Sequence, residues 1–196
     1  VMLRGTELAD AQDAPLALVG SDGAGKTWAA FHWLVDRAAT QPIVVTIPST
    51  IVAELASPSE ASVFRFLANR LFELTDGFRD AEHWQRRLTR LLSRPADEGT
   101  VLTLLFDGLN QQSAGWLQLL KVLQSDRWAK RIRVLLTTRP HHFSDKLASL
   151  RGLVVPARRV DVDSYNLETG GELDSMLAFE GLQRTDLQPD LIELAR

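Results

Sequence analysis

Apolar positions along the chain fall into short unbroken runs that alternate with segments of helical period. Leu16-Ala17-Leu18-Val19 is a four-residue apolar run closed by Gly20, the pattern of a strand buried on both faces. From Thr27 to Ala38, the residues Phe31, Leu34, Val35 and Ala38 recur at helical spacing and predict one apolar helix face. Ile43-Val44-Val45-Thr46-Ile47, stopped by Pro48, predicts a second buried strand. Ser57-Pro58-Ser59-Glu60 has the form of a capping box with proline at the first helical position. The helix it opens carries Val63, Leu67, Leu71 and Leu74 on one side and ends at Asp76-Gly77.

The alternation continues. Ala81 to Arg94 predicts an amphipathic helix with Trp84, Leu88, Leu91 and Leu92 inward, and Val101 to Phe106 a buried strand. Gly115 to Gln124 predicts a helix with Trp116, Leu117, Leu120 and Leu123 as its stripe, and Ile132 to Leu136 a fourth strand closed by Thr137-Thr138-Arg139-Pro140. Leu153 to Val155 or Arg158 to Val162 supplies a fifth, and two short helical patterns follow near Glu172 to Glu180 and Asp186 to Ala195. Apolar strands alternating with amphipathic helices define an α/β fold, a mainly parallel sheet covered on both faces in three layers.

Composition narrows this further. A chain of 196 residues with 45% hydrophobic and 24% charged content is of the size of one globular domain, not a disordered chain. Its 22 basic and 25 acidic residues give a net charge of -3, so no whole-chain basic field exists for nucleic acid or anionic lipid. With no cysteine, disulfide scaffolds and thiolate metal sites are excluded, which suits a cytoplasmic setting. No apolar run has the length of a membrane span. Valine at position 1 and a helical pattern running to Arg196 lead us to expect a segment of a longer protein.

Gly20-Ser21-Asp22-Gly23-Ala24-Gly25-Lys26-Thr27 matches G-x-x-x-x-G-K-[ST] without a gap, between an apolar strand and a helix. The glycines permit backbone angles that turn successive N–H groups inward, and the positive end of the following helix points to the same place. Such a loop holds a polyphosphate. Lys26 is the point charge for the β- and γ-phosphates and Thr27 the hydroxyl for Mg²⁺, while Trp28, directly after them, either lies near the nucleotide or packs against the sheet. The apolar run ending in Asp107 delivers a carboxylate at a strand tip, where ligands of open α/β sheets bind. Asp107 is thus the second expected Mg²⁺ partner. Taken alone, Asp107-Gly108 also reads as an ordinary turn.

Asp107-Gly108-Leu109 after an apolar strand resembles the Walker B region of STAND NTPases, including NACHT-type proteins, and Leu135-Leu136-Thr137-Thr138-Arg139-Pro140 is similar to the sensor 1 strand and arginine of that class. The resemblance runs from about Leu16 onward. It implies a P-loop NTPase fold with sheet order 5-1-4-3-2, the sensor strand lying between the phosphate-loop and Walker B strands. It further implies a nucleotide-binding core over residues 1–160, and over 161–196 the beginning of a helical subdomain. The activity implied is that of an ATP-dependent switch, with ATP or ADP and Mg²⁺ bound and Arg139 reporting the γ-phosphate. Such a core is joined to effector and sensor domains of the same longer chain, and assembles with copies of itself in a nucleotide-dependent way.

The chain departs from the family pattern after Leu109. Asn110 and Gln111 stand where acidic residues are common. An amide positions a water but cannot take its proton, so hydrolysis is expected to be slow, with Gln111 as the water-orienting candidate. Glu54, Glu60 and Asp97 are the alternative carboxylates. No Gly-x-Pro element follows Pro140.

Two other readings compete. One is an AAA+-like ATPase acting on nucleic acid, which predicts an acidic residue where Gly108 stands. The other is a nucleotide-locked interaction module that never hydrolyses. Arg86, Arg87, Arg90 and Arg94, and Arg127 with Lys130, Arg131 and Arg133, read as solvated faces. His141-His142 reads as an extended pair whose rings point apart. No Asn-Lys-x-Asp base-reading motif is present, which favours adenine over guanine.

Overall fold

Four mainly apolar runs and one edge strand with an alternating charged face form a single sheet. The fold was described from a computed structural model covering residues 16–36, 43–52, 58–109, 113–128, 131–142, 158–162 and 171–187. The strands are β1 (Leu16–Val19), β2 (Ile43–Pro48), β3 (Leu102–Asp107), β4 (Ile132–Thr138) and β5 (Arg158–Asp161), in the order β2-β3-β4-β1-β5. Read from the other edge this is 5-1-4-3-2, the order the resemblance implied, with β4 between β1 and β3. Every neighbouring pair is parallel. The fifth strand is the Arg158 run; Leu153 to Val155 lies outside the described residues.

Side chains alternate across the sheet and feed two cores. Leu16 and Leu18 of β1, with Leu105 and Leu135, pack against α1 (Lys26–Asp36) through Ala29, Ala30, Trp33 and Leu34. Ala17 and Val19 face the opposite core, with Leu104, Phe106 and Leu136. That core is closed by α3 (Glu60–Leu74), α4 (Ala81–Leu92) and α5 (Ser113–Val122), the short α2 (Ser49–Val52) lying just after β2. Trp128 is fully buried in it and meets Phe64 at a ring distance of 4.9 Å. The fold is therefore the three-layer α/β arrangement expected. After β5, α6 (Glu172–Phe179) follows. Leu74 is 42% exposed, so the buried side of α3 is Val63, Phe64, Leu67, Ala68 and Leu71. The side chains of Trp116 and Leu117 and the pattern near 188–195 lie outside the described residues.

Three local expectations are corrected. On α1, the expected face is shifted: Leu34 is buried as expected, but Phe31 and Val35 are 43% and 68% exposed and Trp33 is buried in their place, while Ala38 lies outside the described residues. This helix is apolar on most sides, so periodicity alone does not choose its rotation. The structure seats Ala29, Ala30, Trp33 and Leu34 on the sheet, with Thr27 at the margin of that face, where its hydroxyl meets Asp107. Second, α3 is capped by Ser59, not Ser57. The Ser62 N–H donates to the Ser59 hydroxyl oxygen (3.2 Å) and the Ser59 N–H to that of Ser62 (2.7 Å). Pro58 thus precedes the cap, and Glu60 is free to meet Ser125 and Arg127 instead. Third, His141 and His142 begin a helical turn, not an extended segment, and their rings lie 4.4 Å apart.

Candidate functional site

The site begins where β1 runs out. Gly20 donates its N–H to the Thr138 carbonyl (3.2 Å), tying the start of the loop to the end of β4. A side chain at position 20 has no room: a Cβ there would stand 2.5 Å from the Val162 carbonyl oxygen at the end of β5. The loop then turns through Gly23 and Gly25, at φ 77° and 78°, angles that L side chains rarely adopt. Between them Ala24 tucks its methyl group inward and donates its N–H to the Ser21 carbonyl (3.3 Å). Lys26 and Thr27 open α1, whose eleven residues aim the positive end of their dipole at the loop.

Across the sheet edge, Asp107 ends β3 with its carboxylate on the α1 side. The Thr27 hydroxyl donates to its Oδ1 (2.7 Å), and so does the Thr137 hydroxyl (2.6 Å). Thr137 Oγ1 in turn accepts the Gly108 N–H (2.9 Å), while the Thr137 carbonyl accepts that of Leu109 (3.0 Å). The Asp-Gly-Leu turn, with Gly108 at φ 74°, is therefore pinned to β4 through Thr137. Sequence reasoning gave Thr137 no role. The signal was there: a β-branched hydroxyl at the polar end of a largely buried strand, next to the strand that carries the acid.

The cations are held close by. Lys26 Nζ donates to the Ser21 carbonyl (2.6 Å). Burial holds its pKa below the usual lysine range; Asp22 and Asp107 oppose that shift and Arg139 adds to it. Arg139, just past β4, binds Asp22 of the loop with two bonds, Nε to Oδ1 (2.7 Å) and Nη2 to Oδ2 (2.5 Å). Sequence reasoning had this arginine facing the loop, but did not find its carboxylate partner within it.

The structure thus brings together Gly20 to Thr27, Asp107 and Arg139. Trp28 does not pack on the sheet. It is 36% exposed on the outer side of α1, its ring 3.7 Å from that of His32. Asn110, Gln111 and Glu54 lie outside the described residues. Glu60 and Asp97 are far from the site by topology: Glu60 meets Ser125 and Arg127, which precede β4, and Asp97 precedes β3, both at the opposite strand ends.

The donor set fits a hard divalent cation: a hydroxyl and a carboxylate oxygen converge beside a loop that offers N–H groups. Among the described residues no cluster of three or more acidic or histidine side chains forms, and no helix is long and apolar enough to cross a membrane.

No family model matches the chain, and no curated protein does. Among solved structures it is similar to Cdc6p from Pyrobaculum aerophilum, with a TM-score of 0.51 and 16% identity over 85% of this chain and 44% of that one. The chain thus spans less than half the length of that structure. At this identity the likeness concerns the fold alone. Together with the strand order and the loop, it defines the class: an α/β fold of the P-loop NTPase type.

Proposed function

We propose that this chain is the ATP-binding, slowly hydrolysing core of a STAND-type switch, of the NACHT-like kind. The observation that carries the reading is the meeting of Thr27 with Asp107 at 2.7 Å, from a phosphate-loop helix and from the tip of β3. These two side chains would hold Mg²⁺, which when bound neutralises charge on the β- and γ-phosphate oxygens. Gly20 to Thr27 would wrap the phosphates with N–H groups, and Lys26 and Arg139 would gather the γ-phosphate. The reaction is attack of water on the γ-phosphorus, with loss of the bond to the bridging oxygen and release of ADP and phosphate. Gln111 would orient that water. In this reading residues 161–196 begin a helical subdomain, and nucleotide state is coupled through it to effector and sensor domains of a longer cytoplasmic protein and to self-assembly.

Titration calorimetry with MgATP tests the reading. The 196-residue chain should bind, and Lys26→Ala should abolish binding; retained micromolar affinity in the variant overturns the assignment.

A second reading, an AAA+-like ATPase acting on nucleic acid, is supported by the likeness to Cdc6p. Gly108, where that reading wants an acid, counts against it. Turnover stimulated by DNA would favour it. A third reading, a nucleotide-locked module, rests on Asn110-Gln111. It predicts no γ-phosphate release in a single turnover, whereas a slow enzyme releases it, and faster with Gln111→Glu supplying a base.

A further inference from the structure

Asp22 is an anion in a loop shaped for anions. The pattern G-x-x-x-x-G-K-[ST] leaves its position free, so the aspartate is a choice of this chain. Electrostatically it is a poor one for holding a polyphosphate, because like charges close together disfavour one another. Its cost is met by Arg139, whose guanidinium takes both carboxylate oxygens in a fork-on-fork pair. Arg139 is also the cation at the end of β4, which is hydrogen-bonded through Thr138 to the first residue of the loop. Two anions, Asp22 and an incoming terminal phosphate, therefore compete for one guanidinium.

We propose that Asp22 is a built-in competitor of the γ-phosphate, which Arg139 exchanges for the triphosphate and keeps when only a diphosphate is bound. The inference rests on the nucleotide reading given above and adds the device that makes it discriminate. The Asp22 side chain is 67% exposed and that of Arg139 36%, so the pair is screened and can open without unpacking the core. A γ-phosphate brings more charge and more acceptor oxygens to the same fork and displaces the carboxylate. Asp22 then swings into solvent. ADP reaches Lys26 but leaves the Asp22–Arg139 pair closed, so the loop and the end of β4 stay clamped.

The discriminating quantity is the ratio of MgADP to MgATP dissociation constants, measured by calorimetry on the wild-type chain, Asp22→Asn, Arg139→Gln and the double variant. Asp22→Asn should raise the ratio about fivefold in favour of ATP, the scale of an exposed ion pair. In the Arg139→Gln background the same substitution should leave the ratio unchanged. Asp22→Glu, which keeps the charge, should stay near wild type. An unchanged ratio in Asp22→Asn, with wild-type binding intact, overturns the exchange alone. A rise that persists without Arg139 also overturns it, since general charge repulsion then explains the effect. Failure of the wild-type chain to bind either nucleotide overturns the nucleotide reading itself.

Discussion

Thr27 and Asp107 stand 80 positions apart in sequence and 2.7 Å apart in space. One opens the helix after the phosphate loop; the other ends the third strand. A single carboxylate oxygen, Asp107 Oδ1, takes both this hydroxyl and that of Thr137. The two hydroxyls have different work. Thr137 is buried and also receives the Gly108 N–H, so it fixes the carboxylate; Thr27 is exposed and can be drawn to a metal.

That difference is measurable. Thr137→Val keeps the shape but leaves a backbone N–H and a carboxylate oxygen without their hydroxyl. It should cost roughly 1–3 kcal/mol of unfolding free energy. Thr27→Val removes one bond at an exposed position and should cost less than about 1 kcal/mol, while weakening the Mg²⁺ dependence of nucleotide binding. Urea denaturation of both variants checks this; equal costs would contradict the division of roles.

Gly20 carries a separate expectation. Its restriction is contact, not conformation, because the obstacle is the Val162 carbonyl 2.5 Å from any Cβ. That carbonyl belongs to backbone whose N–H is bonded to Val19 (2.7 Å), so it cannot yield cheaply. Gly20→Ala should therefore destabilise the chain by roughly 1–3 kcal/mol, the usual range for overpacking. A thermal midpoint within a degree of wild type would show that β5 moves freely at this end.

Much of this arrangement was legible in the chain because its signals are local and covalent. The octet from Gly20 to Thr27 states its own turn, and the apolar run to Phe106 states where Asp107 must emerge. The strand order came from the family resemblance, not from periodicity, since each buried run looks the same to its neighbours. What stayed hidden was relative placement. Nothing along the sequence says that Thr137 will lie beside Asp107, or that the Asp22 carboxylate will find Arg139 117 positions on. The same holds for the Ser59 cap, where two serines and a glutamate offered rival pairings that tertiary contacts to Ser125 and Arg127 decided.

Lys26 links the site to stability through pH. Burial lowers its folded pKa below the unfolded value of 10.5, so between those two values the unfolded chain binds more protons. Stability from this group therefore rises with pH through that window. Below the folded pKa the charged, partly buried ammonium carries its full penalty, offset in part by the bond to Ser21. Lys26→Met removes the penalty. Its thermal midpoint should exceed wild type at pH 7, and the gap should narrow as pH approaches 10. A gap that stays flat over that range would mean the burial is not felt.

The rotation of α1 gives the last expectation. Periodicity favoured Phe31 and Val35 as inward positions, but packing on the sheet turns the helix so that Trp33 enters the core at 6% exposure and Val35 stands 68% exposed. If that rotation is correct, Trp33→Ala empties a large volume between α1 and the sheet and should cost roughly 3–5 kcal/mol. Val35→Ser changes only a solvated position and should stay within about 0.5 kcal/mol of wild type. The reverse ranking would restore the inward face that periodicity favoured. Urea denaturation of these two variants therefore tests how the helix is seated on the sheet.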